Sequence, residues 1–344
     1  MSGLNPDLRT LCAAYGLVGA EFYLPPVSNA GDEIYFLEGA ETCDRLRAIR
    51  VVPWGRFGNA VLQLLNGVML ARKLGLAEVQ IVPFTFGPAA AETQIGDIRF
   101  IDPGRVLPAS PVLVGYFFGA RYFPVQLRDV TAGFANYTLD HYIKPLLRDI
   151  VGARHSLSPD VAVLHFRAGD IFSAKPHPSY VQPPVSYYLA AVDYLVKNRG
   201  VKSVRLVAEG SSNPAVKAVQ QALRQRGIPF AYQSSRFAED FGTLCGAAHL
   251  VASFSTFCEA AAMLGDGMST YIAFRDIESH SHSHARPDSL LAAMLREKGV
   301  RCVLIKDMAG RYTKKGAWAN NPAQRAMLLH YGGSNLAVVD ENPA

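Results

Sequence analysis

At 344 residues the chain exceeds one ordinary core and suits two domains. Its 49% apolar and 18% charged shares are those of a globular protein, and a net charge of +5 with no Lys/Arg block gives a nucleic-acid groove little support while suiting a pocket for a small anion. Cys12, Cys43, Cys245, Cys258 and Cys302 have no CxxC spacing and read as reduced thiols, no signal pattern opens the chain, and no apolar run reaches a membrane span, so a soluble cytoplasmic location is expected, with peripheral membrane contact left open.

Residues 1–45 yield turns at Pro25-Pro26 and Gly31-Asp32 and little else. From Leu46, LRAIRVV predicts a strand, PWGRFGN a glycine-bearing turn, and AVLQLLNGVMLARKLG a helix with Val61, Leu62, Leu65, Met69 and Leu70 in one apolar stripe and Gly75 as its stop. EVQIVPF is the next strand, which completes the βαβ unit of a parallel sheet. DIRFID and PVLVGYFF are short strand candidates, and helix returns over about Tyr137–Val151. The polar stretch GARHSLSPD at 152–160 marks a domain boundary.

Beyond it the alternation is regular. Strands are expected at 161–166, 203–208, 228–232, 249–253, 269–274 and 301–305, and helices at roughly 185–198, 213–226, 237–247, 256–264 and 289–298. That is a second Rossmann-like sheet. The organisation expected is an N-terminal domain over 1–151, a nucleotide-binding domain over 152–307, and a tail over 308–344 with helical propensity, no clear partner, and a course packing back on the domains.

Val161 to Tyr188, VAVLHFRAGDIFSAKPHPSYVQPPVSYY, organises the candidate chemistry. A buried apolar run turns polar at His165, Arg167 and Asp170, as the carboxyl edge of an α/β sheet does at a ligand site. His165 and Arg167 would share one strand face, and a guanidinium at a strand end suits bidentate capture of a phosphate or carboxylate. The Pro-rich loop that follows could present His177, Tyr180 and Gln182 to a substrate, although a lone histidine is more often structural.

Other stretches carry two readings each. Gly55-Arg56-Phe57-Gly58-Asn59 either lets a ligand approach backbone and helix start, or makes a turn in which Gly58 and Asn59 cap a helix. Ser255, Thr256 and Phe257 open a helix after a buried strand. Thr256 and Glu259 form a capping box there, and the same hydroxyls and amides suit a diphosphate. Glu209 could hold a ribose or acceptor hydroxyl, or belong to a solvated turn. Asp240 could stabilise its helix start, or accept from a nucleobase. His280, His282 and His284 would share a strand face and could bind a metal, but no Cys or carboxylate completes the set, so they read as surface loop and no metal site is assigned. Cys258 reads as core.

Three of these motifs, in this order, resemble the GT-B fucosyltransferases, most closely the protein O-fucosyltransferase type. GRFGN at 55–59 is similar to their GN loop, HFRAGD at 165–170 to their HxRxGD signature, and LVASFSTF at 250–257 to their late S-T-F element. Ala60 stands where the family often has Gln, and the HPSYVQPPVSYY loop is not a general family feature. The resemblance implies an α/β GT-B fold with two Rossmann-like domains facing a cleft, and an inverting transfer of sugar from GDP-fucose, or another GDP-sugar, to a glycan acceptor. It implies Arg167, Ser255 and Thr256 on the diphosphate, and Gly55, Arg56, Phe57, Gly58 and Asn59 bordering the donor sugar. His165, Glu209, Asp240 and Phe257 would touch or support the nucleotide. Asp170 and His177 are the candidate bases. No cofactor or metal is called for, because Arg167 and the helix dipole can carry the leaving charge. The rival readings are another GT-B-like transferase, including a sugar pyruvyl transferase, and a non-catalytic glycan-binding protein.

Overall fold

The computed structural model describes residues 35–38, 46–53, 55–115, 117, 130–151, 157–176, 181–275, 290–310, 312 and 318–340. It divides into two units, Met1–Asp149 and Ile150–Ala344.

In the first unit the strands are β1 (Tyr35–Glu38), β2 (Ala48–Val51), β3 (Glu78–Ile81), β4 (Glu92–Ile95), β5 (Ile98–Ile101) and β6 (Val112–Gly115). Among the described residues they form one sheet in the order β1-β6-β2-β3-β5-β4. The four inner strands run parallel and the two edges antiparallel. From β2 the chain adds β3 and β5 on one side and β6 on the other. The GRFGN turn therefore leaves β2 beside the point where strand order reverses, which is where open α/β sheets bind ligands.

Helix α1 (Phe57–Lys73) follows that turn. It begins earlier than the apolar pattern indicated, so Gly58 and Asn59 lie inside its first turn. Its N-cap is Arg56, whose side chain makes no capping bond, which corrects the turn-and-cap reading of Gly58 and Asn59. Nor is α1 striped. Residues 60–71 are all buried, Gln63 and Asn66 included, because β2, β3 and the helical residues 132–143 pack against the helix. Asn66 meets burial by donating from Nδ2 to the Phe117 carbonyl at 2.9 Å. The helix stops as expected, with the Leu76 amide on the Ala71 carbonyl at 2.9 Å and Arg72 and Lys73 complementing its carboxyl end.

The helix expected at Tyr137–Val151 starts instead at α2 (Ala132–Thr138), where Thr131 Oγ accepts from the Phe134 amide at 3.2 Å. It passes through a π-turn at Leu139–Ile143 into short pieces at Lys144–Leu146 and Arg148–Val151. Pro145 supplies no amide to the ladder, so an uninterrupted α-helix cannot run through it.

In the second unit β7 (Val161–Phe166), β8 (Ser203–Ala208), β9 (Phe230–Gln233), β10 (His249–Val251), β11 (Thr270–Arg275) and β12 (Arg301–Asp307) alternate with helices. These are α3 (Val185–Arg199), α4 (Pro214–Gln225), α5 (Phe237–Cys245), α6 (Thr256–Leu264) and α7 (Leu290–Glu297). The expected bounds hold to within a few residues. The order β9-β8-β7-β10-β11-β12 is parallel throughout. It is the order of a dinucleotide-binding sheet, with its reversal between β7 and β10.

The tail does find partners. After α8 (Pro322–His330), β13 (Leu336–Asp340) adds to β12 as an antiparallel edge strand, and α8 lies against α3 and α4. The sequence suggested helix alone there. Leu336–Asp340 is an edge strand of intermediate burial, so it lacks the continuous apolar run that marks an inner strand.

Beneath the carboxyl edge, Phe166 stacks on Tyr188 at 4.2 Å and Tyr187 meets Phe274 edge-on at 5.4 Å. Each such side chain contributes roughly 1.5–3 kcal/mol by leaving water. The buried Tyr187 hydroxyl lies 2.8 Å from the Ala252 carbonyl and 3.0 Å from that of Ile272, joining the end of β10 to the middle of β11.

Candidate functional site

Strand β7 ends at Phe166, so Arg167 is the first residue past the sheet rather than part of it. His165, inside the strand, is buried. Its Nδ1 lies 2.7 Å from Ser253 Oγ, just past β10. Burial first, and the Arg167 charge second, pull its pKa from 6.5 to about 3, so the ring is neutral. His165 can therefore orient Ser253 but adds no positive charge.

The Arg167 side chain is only 11% exposed, whereas that of Asp170 is 45% exposed. Arg167 Nη2 donates to Asp170 Oδ2 at 3.3 Å, and Nη1 reaches the Phe254 carbonyl at 3.5 Å, the outer limit of a hydrogen bond. The guanidinium thus bridges the chain leaving β7 and the chain leaving β10, across the reversal point. Its own backbone is fixed by Asn213, whose Nδ2 donates to the Arg167 carbonyl at 2.9 Å while Oδ1 accepts the Ala215 amide and caps α4.

Gly169 follows at φ +62, a conformation that favours glycine. Its amide donates to Ser212 Oγ at 3.0 Å, and a side chain there would sit 3.4 Å from the Glu209 carboxyl group. Glu209, at the end of β8, is exposed and borders this turn. Arg167, Asp170 and Glu209 are therefore gathered at one sheet edge.

On the far side of the reversal point the N-cap of α6 is Ser255, whose Oγ accepts from the Phe257 amide at 3.2 Å. This corrects the Thr256–Glu259 capping box: with Ser255 as cap, Glu259 falls one position too late to reach back. Its carboxyl group instead turns inward, where burial raises its pKa well above the ordinary carboxylate range. Thr256 opens the helix, half-buried. Cys258 is core as expected, and burial pushes its thiol up to about 12.

Phe257 leads an aromatic group below the site: its ring centroid is 5.7 Å from His165, 5.5 Å from Phe237 and 5.1 Å from Phe241. Asp240, on the same helix as Phe241, uses its oxygens internally. It accepts from Gln233 Nε2 at 2.8 Å and from the Ser235 amide at 3.2 Å, tying the end of β9 to α5, while burial raises its pKa.

In the first unit Gly55 has φ +86, and Asn59 Nδ2 lies 2.4 Å from where a side chain at Gly55 would begin. Asn59 thus folds back over the turn it follows. Arg56 is exposed, and Phe57 and Gly58 are buried at the helix start. His177 and the His280, His282, His284 group fall outside the described residues. Among the described residues, no group of three or more His, Cys, Asp or Glu side chains could hold a metal ion. Likewise, no helix among them is long and apolar enough to cross a membrane.

Asn213, Ser212 and Ser253 were not singled out in the sequence. Asn213-Pro214 carried a usable signal, since an N-cap asparagine followed by proline at the first helical position marks a helix start.

Two α/β units, each with a strand-order reversal bordered by a motif-bearing loop, define the class of this protein. The chain matches no described protein family and no curated protein sequence. Among solved structures, it is similar to POFUT1 in complex with GDP-fucose at 13% identity and a TM-score of 0.37, over 63% of this chain and 93% of that one. It is also similar to the E. coli ADP-heptose LPS heptosyltransferase II at 14% identity and a TM-score of 0.34, over 75% of this chain and 90% of that one.

Proposed function

We propose that this chain is an inverting glycosyltransferase of the GT-B kind, moving a sugar, fucose from GDP-fucose in the first instance, to a glycan acceptor in the cytoplasm. The observation that carries the reading is the meeting of Arg167 and the Ser255-capped start of α6 at the β7/β10 reversal point, linked by the Arg167 contact to Phe254. A guanidinium fork beside a helix amino end suits a diphosphate, and strand-order reversals are where nucleotides bind in such sheets.

The reaction is a single displacement at the anomeric carbon. The acceptor oxygen forms its bond as the diphosphate oxygen leaves, and Arg167 with the α6 dipole takes up the developing charge. Glu209 borders a hydroxyl of donor or acceptor, and Asp170 or His177 receives the acceptor proton. Neutral His165 orients Ser253 at the phosphate edge, and Phe257 and Asp240 flank the nucleoside.

A thermal-shift panel of GDP, UDP, CMP and phosphoenolpyruvate tests this. GDP should stabilise most, by about 2.7 kcal/mol at a hundredfold excess over its Kd. A shift with UDP and none with GDP would remove the guanine donor. A shift with phosphoenolpyruvate alone would point to pyruvyl transfer.

A further inference from the structure

The tail after β12 grips the loop that carries Asp170. Trp318, 2% exposed, donates from Nε1 to the Ile171 carbonyl at 2.8 Å and meets Phe172 edge-on at 5.7 Å. Asn320 Nδ2 donates to the Ser173 carbonyl at 3.1 Å, and Tyr312 donates its hydroxyl to the Gln182 carbonyl at 2.7 Å. Three donors from one short stretch of tail thus bind carbonyls on both sides of the loop after Arg167.

These donors are themselves held. Buried Asp307, the last residue of β12, accepts the Ala309 and Tyr312 amides at 3.0 Å each and the Tyr331 hydroxyl at 2.6 Å. Asn320 sits at φ +53, a strained setting for a residue with a side chain. Arg325 Nε holds its Oδ1 at 2.8 Å, and the next residue, Asn321, caps α8 in a reciprocal capping box with Gln324. The Asn320 amide is thus held at both its nitrogen and its oxygen.

We propose that Trp318 and Asn320 are positioning residues for the anion site. They fix the Gly169–Ser173 turn, the turn fixes Asp170, and Asp170 sets the fork of Arg167 through its 3.3 Å contact. The inference rests on the donor reading above and extends it to the tail after β12.

The test compares the full chain with a Trp318→Phe/Asn320→Gly variant. Phenylalanine keeps a ring against Phe172 but lacks the indole donor, and glycine accepts the backbone angle but gives up both the Nδ2 donor to Ser173 and the Oδ1 acceptor of Arg325. Arg301→Gln serves as the control, because it loosens the same tail at Asp340 without touching the loop. GDP affinity, the melting temperature without nucleotide, and amide exchange at Ile171–Ser173 are measured. At a temperature where both variants are folded, the double variant should bind GDP about tenfold more weakly and exchange faster at those amides than the control, which binds GDP normally. Unchanged GDP affinity, with or without a lowered melting temperature, overturns the proposal. If the unaltered chain does not bind GDP, the donor reading fails by itself. Exchange then decides the positioning role: faster at Ile171–Ser173 sustains it, unchanged refutes it.

Discussion

Replacing Arg167 with lysine separates an anion-binding role from a structural one. Among its contacts, the guanidinium meets Asp170 at 3.3 Å and the Phe254 carbonyl at 3.5 Å, and Asp170 is 45% exposed. An ion pair with so exposed a partner contributes only about 0–1 kcal/mol. The loop's backbone is held separately by Asn213 and Ser212, so the fold should lose about 1 kcal/mol or less. The functional cost is larger. Lysine keeps the charge but has no planar fork, and cannot make two parallel bonds to phosphate oxygens. Losing one charge-assisted bond in the transition state costs about 3 kcal/mol, roughly a hundredfold in rate. The assay is fucosyl transfer from GDP-fucose together with GDP affinity and chemical denaturation of the same variant. Near-normal GDP binding with a clearly destabilised fold would falsify the phosphate role.

Three further outcomes follow from the same geometry. Gly169→Ala forces a side chain into φ +62, while the nearest neighbours of its new carbon, at 3.4 Å, leave ordinary room, so backbone strain of about 1–2 kcal/mol should appear in denaturation; wild-type stability would refute it. His165 refuses its proton down to about pH 3 in the folded chain but takes it near 6.5 when unfolded, so its contribution is full above pH 6.5 and is lost as pH falls towards 3. Stability in that window should fall more steeply, by up to about 1.4 kcal/mol per pH unit, for the wild type than for His165→Gln, and equal slopes would contradict the burial argument. Chelation with EDTA should leave transfer largely intact, since Arg167 and the α6 start carry the leaving charge; loss of turnover restored by one divalent ion would revive a metal role for His280, His282 and His284.

The second unit was readable because parallel strands buried on both faces are continuous apolar runs. VAVLHF became β7 and SVRLVA became β8 at the expected bounds, and the polar residues following β7 marked the sheet edge. Local chemistry was harder to read. Thr256 and Glu259 have capping-box spacing, yet the helix started one residue earlier in its cap, at Ser255, and spacing alone does not fix which hydroxyl caps. The helix pattern near Tyr137 hid an interruption that Pro145 requires. Trp318 and Asn320 were invisible, because their bonds run to carbonyls 147 residues away and carbonyls leave no mark in a sequence.

The charges around Arg167 bear on how the proposed site would take up a diphosphate. A guanidinium only 11% exposed would be costly without a partner, and neutral His165 adds no repulsion, so Asp170 supplies the balancing charge. Asp170 meets the fork at one nitrogen, by a long contact and with its side chain largely in water, so it orients the guanidinium without enclosing it. On the proposed function, an arriving diphosphate brings more negative charge and a better match to the fork. It meets a fork that Asp170 already holds, and Arg167 gains a second anionic partner. On that reading, holding the fork of Arg167 and facing the acceptor hydroxyl are compatible roles of one carboxylate, and its exposure permits both.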